Sequence, residues 1–211
     1  MEFLRKTTRI IGLVILTALF ITNIVYSQDN KTLQEAFAES YTYEYDGEYT
    51  KAINILKKVY DEDSYEINLR LGWLTYLSGL FTESTAYYER AISLKPLSIE
   101  AHFGYVYPAS ALGNWNLVKS HYLKILEIDP QNTLANYRLG LIYYGNEDYA
   151  TAEKYFEKVV NLYPFDYDAC IMYAWSSFKL SKFRKAKVLF NKALLMKPDD
   201  ESALEGLGLI K

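Results

Sequence analysis

Cysteine is nearly absent from this chain. Cys170 is the only one in 211 residues, so no internal disulfide can form. That absence assigns no compartment, because helical repeats hold together without disulfides. Histidine is scarce too: His102 and His121 are the only two, and no carboxylate or cysteine cluster accompanies them at metal-ligand spacing. No glycine-rich stretch has the form of a phosphate-cradling loop. No family signature surrounds Cys170 to mark it as a nucleophile, so it reads as a small buried hydrophobe. No catalytic residue, cofactor or metal is therefore expected. Positive charge is not in excess either. The formal net charge is -3, whereas nucleic-acid binders carry a basic stripe that displaces counterions from phosphate, so no nucleic-acid partner is expected.

What the chain has is apolar and aromatic. Half of its residues are hydrophobic and 16% are aromatic, 21 of them tyrosine, which excludes an intrinsically disordered chain. It has few prolines, but their placement is regular. KILEIDP (Lys124 to Pro130) is echoed by RAISLKP (Arg90 to Pro96), KVVNLYP (Lys158 to Pro164) and KALLMKP (Lys192 to Pro198), so Pro96, Pro130, Pro164 and Pro198 recur every 34 residues. A fixed period of this length marks a stacked repeat array, which grows by adding units and not by enlarging one core.

Residues 1–27 stand apart. A basic start, MEFLRKTTR, precedes the apolar run IIGLVILTALFI (Ile10 to Ile21) and then the polar TNIVYSQDN. This is the layout of a secretory signal, with a plausible cleavage point before Gln28. The alternative is an uncleaved anchor through residues 10–26, a stretch short of the roughly 20 apolar residues of a spanning helix. Both readings export the remainder, to the periplasm or cell envelope, with the basic residues left inside. Removing residues 1–27 takes away Glu2, Arg5, Lys6 and Arg9 and leaves a net charge of -5. A short linker is expected over 28–32.

From 33 to 211 the chain scans as helical hairpins. The units run over 33–64, 65–98, 99–132, 133–166 and 167–200, and a terminal helix over 201–211. In the fourth, Leu139 and Tyr143 share one helical face, as do Ala152, Phe156 and Val159 in its second helix. Gly47, Gly79 and Gly113 fall at the turns between paired helices, where a left-handed residue ends a helix; Glu147 and Ser181 take that place in the fourth and fifth units. Tyr49, Phe81, Trp115, Tyr149 and Phe183 open the second helices, and Ala52, Ser84, Ala152 and Ala186 provide a small residue within them.

These features, with RLG at Arg70–Gly72 and Arg138–Gly140 and the closing proline, resemble tetratricopeptide repeats. The resemblance covers about Leu33 to Lys211. It implies an all-α, right-handed α-solenoid of about five helix-turn-helix repeats and a terminal helix. It also implies protein binding on a concave surface lined by the first helices. Three departures stand out. The first unit has Ser64 in place of proline and is two residues shorter. The third has Val118 in the small-residue column, which should loosen its helix contact, and Pro108 inside AHFGYVYPASALG, which predicts a kink near Tyr107. The terminal segment ESALEGLGLIK lacks a strongly polar outer face, so it should cap the array poorly and either fray or dock.

The inner stripe can be read off at helical spacing. It holds Phe37, Tyr41 and Tyr45 in the first unit and Leu69, Trp73 and Tyr76 in the second. Phe103 and Tyr107 follow in the third, Tyr137, Leu141 and Tyr144 in the fourth, and Ile171, Trp175 and Phe178 in the fifth. Concave aromatic surfaces carry binding energy well. The family's carboxylate clamp uses Lys, Asn and Arg on this face, and no such clamp is carried over here. A non-catalytic scaffold binding a protein or peptide segment is the expected function, with the membrane involved only through residues 10–26. Two other readings stay open: glycan binding on the aromatic faces, or a homo-oligomer stacked head to tail. The latter follows from an acidic start (12 acids and 7 bases over 28–98) and a mildly basic end (6 acids and 8 bases over 165–211).

Overall fold

The computed structural model describes residues 31–210, so the expectations for residues 1–30 lie outside it. Every regular element among the described residues is an α-helix, and consecutive helices pair as in tetratricopeptide solenoids. None of these helices is long and apolar enough to cross a membrane. The chain forms two compact units, divided between Arg90 and Ala91. The first holds α1 (31–45), α2 (Tyr49–Lys58), α3 (Tyr65–Leu77) and the start of α4 (Phe81–Leu94). The second begins within α4 and continues through α5 (Ile99–Ala111), α6 (Trp115–Ile128), α7 (Thr133–Gly145), α8 (Tyr149–Leu162), α9 (Tyr167–Lys179), α10 (Phe183–Met196) and α11 (Glu201–Leu209). The five predicted aromatics open α2, α4, α6, α8 and α10. Residues 31 and 32, within the expected linker, are already helical.

Each hairpin turns in the same way. Gly47, Gly79 and Gly113 have φ of 74°, 77° and 72°, and Glu147 and Ser181 adopt the same left-handed region at 62° and 59°. The N–H that follows each of them reaches back five residues, from Glu48 to Tyr43 O at 2.7 Å through to Lys182 to Ser177 O at 2.9 Å. This bond closes a helix whose last carbonyls would otherwise be unpaired.

A second column sets where the first helices start. Ser64, Ser98, Asn132, Asp166 and Asp200 recur every 34 residues, and each side chain accepts the N–H three residues on. Such caps are worth about 1 kcal/mol each. This corrects the reading of Ser64: it stands in the capping column, and the proline column of the first repeat is occupied by Glu62. The deficit of two is the balance of two changes: α2 has 10 residues where α4, α6, α8 and α10 have 14, and the linker after it spans six residues (59–64) where the next spans four (95–98).

Packing follows the small residues. Ala52, Ser84, Ala152 and Ala186 are fully buried. Gly72 lies under the Tyr88 ring, and Gly140 under Phe156 so closely that a Cβ there would stand 2.6 Å from the ring. In the first unit Leu56, Leu71 and Leu74 form the centre, and in the second Phe156 and Phe190 do. The terminal helix docks: Ala203 and Gly206 are buried in α11, Gly206 lies against the Phe190 ring, Trp175 Nε1 donates to Ser202 Oγ at 2.8 Å, and Tyr167 Oη donates to Asp200 Oδ2 at 2.5 Å. Helix α5 runs unbroken through Pro108, which is buried near its end.

Candidate functional site

The predicted stripe is brought to one face of each first helix, but its members differ in exposure. In the first unit Tyr45 is 92% exposed and Tyr41 56%, whereas Phe37, Leu69, Trp73 and Tyr76 are half-buried. In the second unit Tyr107 is 48% exposed, and Phe103, Tyr137, Leu141, Tyr144, Trp175 and Phe178 are half-buried. Ile171 is a correction: at 7% exposure it belongs to the core, packed in the cluster around Phe156 and Phe190.

The half-buried rings are held from behind by the second helices. Tyr76 meets Phe81 at 5.9 Å between centroids, Tyr144 meets Tyr149 at 5.1 Å and Phe178 meets Phe183 at 5.6 Å. In each case the ring that ends the stripe rests on the ring that opens the next helix, five residues later. Tyr144 and Tyr149 meet edge to face and the other two pairs are tilted; aromatic pairs contribute about 1 kcal/mol beyond burial. They also leave the rigid outer edges facing solvent.

The third repeat breaks this pattern at three columns. Ser110 stands where the others have Tyr76, Tyr144 and Phe178, so the ring that would back Trp115 is replaced by a serine, and Trp115 is 60% exposed. Val106 stands in the column of Gly72, Gly140 and Ala174, and Val118 in that of Ser84, Ala152 and Ala186. Two branched side chains wedge α5 and α6 where small ones would let them close, and a ring is missing at the mouth. The result is a cavity of about 650 Å³ between α5, α6 and α7. Val106, Val118 and Tyr122 form its buried floor; Tyr107, Trp115, Leu134 and Leu141 form its walls. Arg138 stands on its rim, exposed, with no ion pair or hydrogen bond among the described residues. Burial pushes the Tyr122 phenol up, and the Arg138 charge partly offsets this, so the guanidinium field reaches the cavity floor. The stripe reading included Phe103, Tyr107 and Leu141 but not Arg138; the sequence signal for Arg138 is the absence of an acid from the turn of the preceding hairpin.

The two histidines meet. His102 is buried, and its Nε2 lies 3.2 Å from Pro96 O, a carbonyl that can only accept. His102 Nε2 therefore carries the proton, and His121 Nδ1–H donates to His102 Nδ1 at 2.9 Å. Asn68 and Asn136 occupy the same column as His102 and tie Glu62 O and Pro130 O in the same manner, at 3.0 and 3.2 Å. His102 thus fastens an inter-repeat loop. Burial, with a contribution from His102, lowers the His121 imidazole to about 4. Cys170 fills that column in the fifth repeat, where burial raises its thiol and Sγ lies 3.5 Å from Leu189 O. Among the described residues no group of three or more His, Cys, Asp or Glu is placed to hold a metal.

A buried carboxylate crosslinks α8, α9 and α10. Burial pushes Glu153 up, but hydrogen bonds from Lys182, Ser177 (3.0 Å) and Lys185 (3.3 Å) outweigh it and hold the group below the usual carboxylate range. This is a structural tie with its polar atoms satisfied.

Tetratricopeptide repeat models match residues 65–96, 133–166 and 167–200. These are three of the hairpins defined above by period, turn and cap. The chain is a tetratricopeptide repeat protein. A tetratricopeptide repeat protein from Parabacteroides merdae ATCC 43184 superposes with a TM-score of 0.72 at 21% identity, over 84% of this chain and 71% of that one. The MamA protein superposes with a TM-score of 0.69 at 20% identity, over 80% and 93% respectively. A second form, MamA AMB-1, gives 0.67 at 19%, over 84% and 96%. At these identities the likeness concerns the fold. No curated protein matches the chain. Tetratricopeptide repeats are protein-interaction scaffolds, and the hairpins of this chain have that architecture.

Proposed function

We propose that this protein is a non-catalytic adaptor that holds a peptide or protein segment against the aromatic inner faces of its first helices. The observation that carries the reading is the paired-ring construction. Rings backed by Phe81, Tyr149 and Phe183 are fixed in orientation, yet keep one edge in solvent, so binding costs little side-chain entropy. The residues to change are the exposed ones. Trp73 donates to Glu44 and Trp175 to Ser202, so truncating either would disturb the fold as well as the surface. Tyr45 is the most exposed ring of the stripe, and Tyr107 is the most exposed stripe ring of the second unit.

A peptide array probed with labelled protein tests the reading. Tyr45→Ala and Tyr107→Ser variants that retain helical circular dichroism should lose about tenfold in affinity for the best peptides, as for interface anchors. Unchanged binding by both variants would refute it. A glycan array run in parallel separates the sugar-binding alternative. The signal-like pattern of residues 1–27 supports a place for the adaptor in the cell envelope, and mass spectrometry of the mature N-terminus tests it.

A further inference from the structure

The first and second units contain the same arginine in two situations. Arg70 and Arg138 each lie nine residues before a hairpin turn residue, Gly79 and Glu147. Arg70 is buried. Its Nη1 donates to Glu44 Oε2 at 2.5 Å, its Nε donates to Ser40 Oγ at 3.2 Å, and the Tyr41 ring covers it at 3.9 Å. Glu44, Ser40 and Tyr41 lie three, seven and six residues before Gly47. At the same offsets from Gly113, the hairpin ahead of Arg138 has Ser110, Val106 and Tyr107. The tyrosine is retained. The carboxylate and the accepting hydroxyl are replaced by a short serine and a valine. The cavity lies there, and Ser110, Val106, Tyr107 and Arg138 all line it. The chain neutralises one arginine with its own glutamate and leaves the equivalent one on the rim of an apolar cavity with that glutamate removed.

We infer that the α5–α6–α7 cavity takes an acidic side chain and its bulky apolar neighbour from a bound polypeptide. The carboxylate pairs with Arg138 where Glu44 pairs with Arg70, and the apolar group fills the space over Val106, Val118 and Tyr122. This rests on the adaptor reading and names what it recognises. The volume suits such an occupant: about 650 Å³ is within the range of ligand pockets, and the lining is apolar apart from a few polar groups. Guanidinium pairs carboxylate through two parallel N–H donors, which gives direction as well as charge.

The test is fluorescence polarisation with end-blocked peptides that contain Glu–Phe or Glu–Leu, each matched by a Gln isostere. The protein is tested as wild type, Arg138→Gln, Ser110→Glu and Ser110→Phe. Ser110→Glu restores the internal carboxylate and Ser110→Phe restores the missing ring beside Trp115, so neither removes a packed group. Glu peptides are expected to bind about 10- to 100-fold tighter than their Gln isosteres, the scale of a charge-assisted hydrogen bond. All three variants should abolish that difference while keeping the wild-type helical signal. Peptide binding that is indifferent to Glu against Gln, or unaffected by Arg138→Gln, overturns the inference and leaves the adaptor reading standing. Saturation by phenylpropionate without binding of any blocked peptide also overturns it, in favour of a small-acid site. Failure of every peptide on the array refutes the adaptor reading itself.

Discussion

Acidification should loosen the third repeat before the rest of the second unit. His121 stacks on Tyr105 at 4.0 Å between centroids and donates to His102. No carboxylate lies within ion-pair reach of either imidazole among the described residues. The folded group sits at about 4 against an ordinary 6.5. Between those pH values the unfolded chain binds a proton that the folded chain refuses, so stability falls as pH falls. Each pH unit is worth about 1.4 kcal/mol, which gives about 3 kcal/mol in full. The ring is partly open to solvent, and screening brings this to about 2 kcal/mol. Below pH 4 both states are protonated and this contribution to the slope ends. Hydrogen–deuterium exchange, corrected for intrinsic rates, resolves the effect by region. Peptides from α5 and α6 should lose about 2 kcal/mol of opening free energy from pH 6.5 to 4.5, and those from α9 and α10 much less. His121→Gln retains a donor toward His102 without a titrating ring and should flatten the slope. An equal slope in His121→Gln, or uniform loosening of all helices, would refute the reasoning.

Three further outcomes are expected. Glu147→Gly and Ser181→Gly should each raise the unfolding free energy measured in urea by about 0.5–1 kcal/mol, because a non-glycine residue at positive φ is strained; Glu147→Ala should give no gain. Gly140→Val should cost about 3 kcal/mol or more, because its Cβ would stand 2.6 Å from the fully buried Phe156 ring, and thermal denaturation reads this directly. Light scattering over protein and salt concentration tests head-to-tail association. If the charge gradient drives it, assemblies will grow at low salt and dissolve at high salt; a monomer throughout would end that reading.

Much of the fold was legible because the repeat multiplies each weak signal. One Gly-X-aromatic turn is ambiguous, but three of them in register with Glu147-X-Tyr149 and Ser181-X-Phe183 mark where the second helices begin. Ser64 was misread because the shorter first repeat shifts the proline column, and only the hydrogen bond to Ile67 N–H shows that it is a cap. Ile171 was misplaced because helical spacing gives a side chain's direction but not how closely the next helix covers it. Spacing names which stripe residues neighbour one another along a helix, but it could not reveal that second-helix rings back Tyr76, Tyr144 and Phe178. Val118 was visible as a departure. The cavity also needed Val106 and Ser110, and their effect depends on columns that come together only in three dimensions. The lone Arg138 was readable in principle, as an arginine whose earlier counterpart has a glutamate and which itself has none.

The capping column has a practical consequence. Ser98, Asn132 and Asp166 each complete their bond to a backbone N–H only three residues away, so every repeat brings its own start instruction and borrows nothing from the unit before. Boundaries of this kind are natural cut points. Whole 34-residue cassettes joined at these residues should graft between positions, or between related arrays, with the helix starts intact, and the third repeat could be transplanted together with its opening.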